Sequence, residues 1–197
     1  MVSSGLVDRV DVSHFRLSVH LLIAFLILSL IFWNYLKYQN YNQVADGINS
    51  IIPFVFLLLI LIQIVIGAFV SGMDAGKIYN SWPLMGSTFF PNDNNLYNLF
   101  KISAFSEPSL VQFMHRNLAY IIMSVYLITL YLVISNKLIK FNKTVMFLGL
   151  ILLLQIVLGI LTVTSGAQMF IASMHQISSI LLVSFSVYFL FINTKKN

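Results

Sequence analysis

Residues 51–70 read IIPFVFLLLILIQIVIGAFV, a run in which Gln63 is the only polar side chain. A helix that crosses the hydrocarbon core of a bilayer needs about 20 such residues. The apolar positions are continuous, whereas the strands of a membrane barrel alternate between apolar and polar residues. A helix also satisfies its own backbone hydrogen bonds in lipid. The run therefore predicts a membrane-spanning helix.

Four further runs have the same character, and together they predict an all-α, polytopic membrane protein with five transmembrane helices. The segment 1–49 is expected to hold an outer amino-terminal stretch, the first helix and a link. The segment 50–197 is expected to form a four-helix bundle with a long outer loop at 71–112. The other four helices are predicted at about 17–36, 113–134, 145–163 and 171–192.

The composition excludes several classes of protein. Of the 197 residues, 59% are apolar and 9% are charged, and the mean hydropathy is +0.91. A soluble domain is about 45–50% apolar and about 25% charged, so a soluble enzyme and a disordered chain are excluded. The net charge of +5 is spread thinly, which is unlike the basic stripe of a nucleic-acid-binding protein. The chain contains no cysteine, which excludes disulfides and thiolate metal sites.

Lysines mark one side of the membrane as cytoplasmic, because short cytoplasmic flanks carry an excess of positive charge. This rule predicts an amino terminus outside the cell and a carboxyl terminus in the cytoplasm. The loop 71–112 then lies outside, and its aromatic residues suit a lid on the membrane surface; a plain interfacial spacer is the alternative. The lysines concerned are Lys37, Lys137, Lys140, Lys143, Lys195 and Lys196.

Two segments of the chain look like copies of one helical hairpin. Gln63 and Gly67 stand near the end of one run, and Gln155 and Gly159 stand at matching places in another. In each case an outer loop follows, and the next helix opens with a histidine. Short apolar strings also recur by chance in membrane proteins, which is the alternative reading. Repeats related by an axis along the membrane normal are a known membrane architecture.

The histidines are the candidate functional residues, because ionisable groups inside membrane spans are rare and costly. His20, His115 and His175 all lie in or beside spans, and no Asp or Glu falls inside any span. Two histidines at equal depth, such as His115 and His175, suit the two axial positions of a haem iron. Arg116 or Arg16 would then face the propionates. The alternative for each histidine is an interfacial or hydrogen-bonding role.

Several stretches resemble the haem A synthase family. The most specific is Gly67-Ala-Phe-Val-Ser-Gly-Met-Asp-Ala-Gly-Lys-Ile-Tyr-Asn-Ser-Trp-Pro-Leu-Met85, which resembles the signature after that family's fifth helix. Motifs of its sixth to eighth helices, and of the approach to its fourth, are similar to other stretches of this chain. These are Val111-Gln-Phe-Met-His-Arg116, Gln155-Ile-Val-Leu-Gly-Ile-Leu-Thr162, Ala172-Ser-Met-His-Gln176, Ser4-Gly-Leu-Val-Asp-Arg9 and Val12-Ser-His-Phe-Arg-Leu-Ser-Val-His20.

The resemblance implies a function and a set of ligands. Members of the family have two similar four-helix bundles and convert haem O to haem A by oxidising a porphyrin methyl group to a formyl group. By resemblance, His115 and His175 match the axial ligands of a haem b in the second bundle. His20 matches a ligand-type histidine on the side of the substrate haem. The family's first three helices have no counterpart here, so the chain resembles the carboxyl-terminal portion.

The same resemblance implies the surroundings of the protein. It places the chain in the inner membrane of a bacterium, in contact with lipid and haem and not with nucleic acid. A separately encoded amino-terminal half and cytochrome oxidase assembly factors such as haem O synthase would be its partners. Two other functions remain open: a small b-type membrane cytochrome, which needs only His115 and His175, and a haem-free structural membrane subunit.

Overall fold

The structure is a computed structural model, and it describes residues 12–41 and 47–194. Five long helices account for most of this part of the chain, and each is long and apolar enough to cross a membrane. No β-strand occurs among the described residues. The predicted all-α membrane class is therefore confirmed. The helices are α1 (His14–Tyr38), α2 (Ile51–Gly72), α3 (Pro108–Ser135), α4 (Ile139–Thr164) and α5 (Met169–Asn193).

Four of the helices contact one another in a closed ring. Helix α2 contacts α3, α3 contacts α4, α4 contacts α5, and α5 returns to α2. Helix α1 packs outside this ring, against α2 and α5. The origin of the ring in two repeated hairpins, and its role in holding haem, stay predictions at this point.

The helices extend beyond the apolar runs of the sequence. Helix α3 begins at Pro108 rather than near residue 113. Proline favours the first position of a helix, because its fixed φ angle is already helical and because an N–H at that position would have no partner within the helix. Helix α4 likewise begins at Ile139, before its apolar run. The connection between α2 and α3 is correspondingly shorter, and it contains three short 3-10 helices. These span Ala75–Lys77, Leu96–Phe100 and Ile102–Ser106.

The main apolar core lies away from this connection. We call the end where α2 and α4 finish and α3 and α5 begin the loop end. Large buried side chains such as Phe56, Phe141 and Phe189 fill the opposite half of the ring. A small separate cluster of Ile66, Phe69 and Val111 lies at the loop end. Gln63 of α2 lies between Ile60 of the main core and Ile66 of this small cluster.

A candidate bis-histidine site

The structure brings His115 and His175 together near the loop end. His115 is the eighth residue of α3 and His175 is the seventh residue of α5, which puts them at similar depths. Their ring centroids are 6.5 Å apart, and their ring planes are nearly perpendicular at 85°. The two imidazoles are therefore neighbours inside the ring of helices, in an edge-on arrangement.

A glycine of the preceding helix lies directly against each of these rings. A Cβ atom at Gly67 would lie 3.0 Å from Cε1 of His115, and a Cβ at Gly159 would lie 3.3 Å from Cε1 of His175. Both separations are tighter than an ordinary contact. The two glycines therefore provide the room that the imidazoles occupy.

A glutamine four residues before each glycine holds the backbone of the corresponding histidine. Nε2 of Gln63 donates to the carbonyl oxygen of His115 at 2.9 Å, and it lies 3.4 Å from Nε2 of the same imidazole. Nε2 of Gln155 donates to Oγ of Ser178 at 2.6 Å. The Ser178 hydroxyl in turn donates to the carbonyl oxygen of His175 at 3.1 Å. One contact is thus direct, and the other passes through a serine.

Sequence reasoning missed Ser178. Ser178 accepts from Gln155 across two helices, whereas the hydroxyls of Ser179 and Ser186 donate to carbonyls of their own helix. Ser178 could have been found from its position three residues after His175, because residues at this spacing are neighbours on one face of a helix.

Several buried polar atoms at the site have no hydrogen-bond partner among the described residues. They include Nδ1 of His115, Nδ1 of His175 and Oε1 of Gln63. Buried polar groups in native proteins are nearly always paired, so such atoms call for an explanation. Among the described residues no group of three or more His, Cys, Asp or Glu could hold a metal ion. The two imidazoles carry ring nitrogens of the kind that ligate a metal.

The next residue after His115 fastens the loop to α3. Nη1 of Arg116 donates to the carbonyl oxygens of Ser81 at 2.9 Å and Leu84 at 3.3 Å, and Nη2 donates to that of Tyr79 at 2.9 Å. The side chain of Gln112 donates to the same Tyr79 oxygen at 3.0 Å. Nε of Arg116 is buried without a partner in the described part of the chain. The predicted propionate contact of Arg116 stays a prediction.

Residues of the same loop also contact α4 and one another. Nδ2 of Asn80 donates to the carbonyl oxygen of Val163, the penultimate residue of α4, at 3.0 Å. The Tyr79 hydroxyl donates to Asp93 at 2.9 Å. Burial, and after it this hydrogen bond, raise the pKa of the Tyr79 phenol. We call residues 79–85 the cover segment, because they lie between the ends of α3 and α4.

His20 lies apart from this arrangement, on α1, which packs outside the ring. Its side chain is exposed, and it lines an open pocket of about 440 Å³ together with Phe15, Arg16, Val19 and Ile23. His14 is the histidine of α1 that packs inward, against the ring of Phe69 on α2. The role of His20 toward a substrate haem stays a prediction.

Comparison with known proteins shows which family the chain belongs to. Residues 1–187 match the model of the COX15-CtaA family, described as cytochrome oxidase assembly protein. The chain belongs to this family. It is 45% identical over 197 residues to the haem A synthase of Pelagibacter ubique, covering all of this chain and 57% of that protein.

Other curated relatives agree with this assignment to the COX15-CtaA family. The haem A synthase of Rickettsia prowazekii is 38% identical over 98% of this chain and 59% of its own length. The haem A synthase of Wolbachia pipientis is 38% identical over 96% of this chain and 54% of its own length. The chain thus spans somewhat more than half the length of these relatives. No solved structure matches it.

Proposed function

We propose that His115 and His175 bind one haem b, and that the chain serves haem A synthesis by carrying electrons through that site. The observation that carries the proposal is the pair of neighbouring imidazoles, in each of which Nδ1 is buried without a hydrogen-bond partner among the described residues. The family assignment supports it, because the relatives are named haem A synthase.

The geometry of the described residues fits a haem. Metal–imidazole bonds are about 2.0–2.1 Å and a ring nitrogen lies about 1 Å from its centroid, so two imidazoles on one metal have centroids roughly 6 Å apart. The observed distance is 6.5 Å. Since only two protein ligands are present, the other positions of the metal would belong to the porphyrin. The apolar walls of the four helices suit its macrocycle.

The protein residues have separate tasks in this proposal. His115 and His175 bind the iron, while Gly67 and Gly159 leave space for their rings. The Nε–H of Arg116 is the donor that remains for a propionate, since its other nitrogens hold the cover segment. A haem with two histidine ligands has no open position for oxygen, so it supplies electron transfer.

The substrate in this proposal is haem O, whose porphyrin methyl group is oxidised to a formyl group in haem A. This oxidation removes electrons from the substrate, and the bis-histidine site would receive or relay them. His20, exposed on α1, would lie on the side of the substrate haem. The partners we propose are a separately encoded amino-terminal half and haem O synthase. The membrane is the bacterial inner membrane, with the loop end outside.

An optical experiment tests the haem site. The chain, expressed with haem in a detergent-solubilised membrane fraction, should show the sharp reduced bands of a low-spin haem. His115→Ala and His175→Ala should each abolish that spectrum, whereas the matched control His20→Ala should keep it. If both single variants of the pair retain the wild-type spectrum, the assignment is wrong. A purified wild-type chain without any haem absorption would favour a haem-free structural subunit.

A b-type cytochrome is the second candidate, because the pair His115 and His175 is complete within this chain. Haem A formation separates the two functions. A host that lacks its own enzyme should make haem A when it carries this chain with an amino-terminal half of a relative. If the bis-histidine spectrum is present but no haem A forms in any such combination, the cytochrome role is supported instead.

A further inference from the structure

We infer that Gln63 and Gln155, each with its glycine, are positioning residues that hold the two axial imidazoles in perpendicular planes. The inference rests on the proposed haem site and deepens it. It concerns the orientation of the ligands rather than their identity. The 85° angle between the rings is the feature to be explained.

Each histidine has a glycine of the preceding helix beside its ring, and a glutamine of that helix is linked to its backbone carbonyl, directly for His115 and through Ser178 for His175. The glycine fixes where the ring lies, because a ring displaced toward α2 would meet the backbone of Gly67. Gln63 holds the helical turn that carries His115, because its side-chain amide donates to the backbone carbonyl oxygen of that histidine. Gln63 and Gly67 are four residues apart, so they lie on the same face of α2. The same spacing recurs at Gln155 and Gly159.

The two halves of the site differ in one contact. Gln63 reaches the carbonyl oxygen of His115 directly and also lies beside its ring. Gln155 reaches that of His175 only through the hydroxyl of Ser178. The position equivalent to Ser178 in α3 is Leu118, which has no hydroxyl. The histidines are therefore held by different linkages, and two unlike linkages can fix two unlike ring orientations.

Burying the Gln63 amide costs free energy, because one of its two polar atoms has no hydrogen-bond partner in the described part of the chain. Oε1 of Gln63 is buried and has no partner among the described residues. An apolar residue of the same size would not bury that unpaired oxygen, but it would also lose the hydrogen bond to the carbonyl oxygen of His115. The donor contact to His115 is what Gln63 provides in return. Hydrogen-bonding partners outside the first ligands are known to orient metal-bound imidazoles.

The angle between ligand planes has a direct spectroscopic signature. In a ferric haem with two imidazole ligands, perpendicular planes give a strongly anisotropic low-spin electron paramagnetic resonance spectrum with a large highest g value. Parallel planes give a smaller spread of g values. The wild-type chain loaded with haem b should show the perpendicular type. A merely structural glutamine would not influence this quantity.

The test compares matched variants of the haem-loaded chain. Gln63→Met keeps the volume and removes the donor, and Gly67→Ala displaces the His115 ring by a few tenths of an ångström. Both should lower the highest g value while haem remains bound. Ser178→Ala should do the same through His175. Gln176→Met, which changes an exposed glutamine beside His175, is the control and should leave the spectrum as in the wild type.

The outcomes separate this inference from the proposed function. If the wild-type spectrum is of the parallel type, or if Gln63→Met and Gly67→Ala keep the wild-type g values, the positioning role is overturned and the haem site stands. If the wild-type chain gives no low-spin haem signal, both fail. If Gly67→Ala does not fold, Gly159→Ala is the milder substitution. Its Cβ would lie 3.3 Å from Cε1 of His175, whereas a Cβ at Gly67 would lie 3.0 Å from Cε1 of His115.

Discussion

Arg116 is predicted to hold the cover segment closed over the loop end of the ring. Replacing it by methionine keeps much of the side-chain volume and removes the guanidinium that donates to the carbonyls of Tyr79, Ser81 and Leu84. Hydrogen bonds to a charged group contribute about 1.5–3 kcal/mol each. Two of the three are short, at 2.9 Å, and the site is partly open to solvent. We expect the closed segment to lose about 2–3 kcal/mol.

Hydrogen exchange measures this loss directly. The amide of Met85 donates to Thr88 at 2.7 Å and that of Gly86 donates to Oγ of Ser81 at 3.0 Å, so both report opening of the segment. Each 1.4 kcal/mol is a factor of ten, and locally opening amides exchange in proportion to the open population. Arg116→Met should therefore speed their exchange by roughly 30- to 140-fold.

Controls limit what this result can mean. Gln112→Met keeps most of the buried volume and removes one neutral hydrogen bond to Tyr79, for which about 1 kcal/mol, or roughly fivefold faster exchange, is expected. Lys101→Met removes a cation whose contacts, to Asn98 and to the ring of Tyr97, lie within the loop, and it should leave Met85 and Gly86 unchanged. Exchange at these two amides that is the same in Arg116→Met and the wild type would refute the reasoning.

Three other predictions follow from the described contacts. Gly149→Ala should lower the midpoint of thermal unfolding in detergent, because the new Cβ would overlap the Tyr126 hydroxyl. Overpacking of this kind costs about 1–3 kcal/mol. An unchanged midpoint would contradict the close contact of Tyr126 with Gly149. His14→Phe should raise the midpoint, because Nε2 of His14 is buried without a partner in the described residues, and a lower midpoint would show that the imidazole is needed. A cysteine at Asn142 should resist an impermeant thiol reagent in intact cells while one at Ser87 reacts, and the reverse pattern would invert the topology.

The membrane spans and the histidine pair could be predicted from the sequence, and the path of the loop could not. Spans follow from continuous apolar runs, and the pairing of His115 with His175 follows from the repeated Gln, Gly and His. The contacts of Arg116 have no such signal, because its acceptors are backbone carbonyls that any sequence supplies. The sequence suggested a propionate partner for Arg116, and the structure shows two of its nitrogens occupied by the loop.

Two further features depend on packing that residue types do not encode. The inward packing of His14 and the exposure of His20 are set by how α1 lies against α2, and both histidines look alike in a sequence. The role of Ser178 depends on the reach of Gln155 across two helices. The lysines Lys195 and Lys196, Asp8 and the motif from Ser4 to Arg9 lie outside the described residues.

Near-infrared magnetic circular dichroism of the haem-loaded ferric chain would identify both iron ligands, because the energy of the charge-transfer band depends on the pair of side chains bound to the iron. We expect a bis-imidazole band in the wild type, and a shift to the histidine–methionine position in His115→Met and, separately, in His175→Met. A wild-type band at any other position, or a bis-imidazole band that persists in either variant, would contradict the assignment of both histidines to one iron.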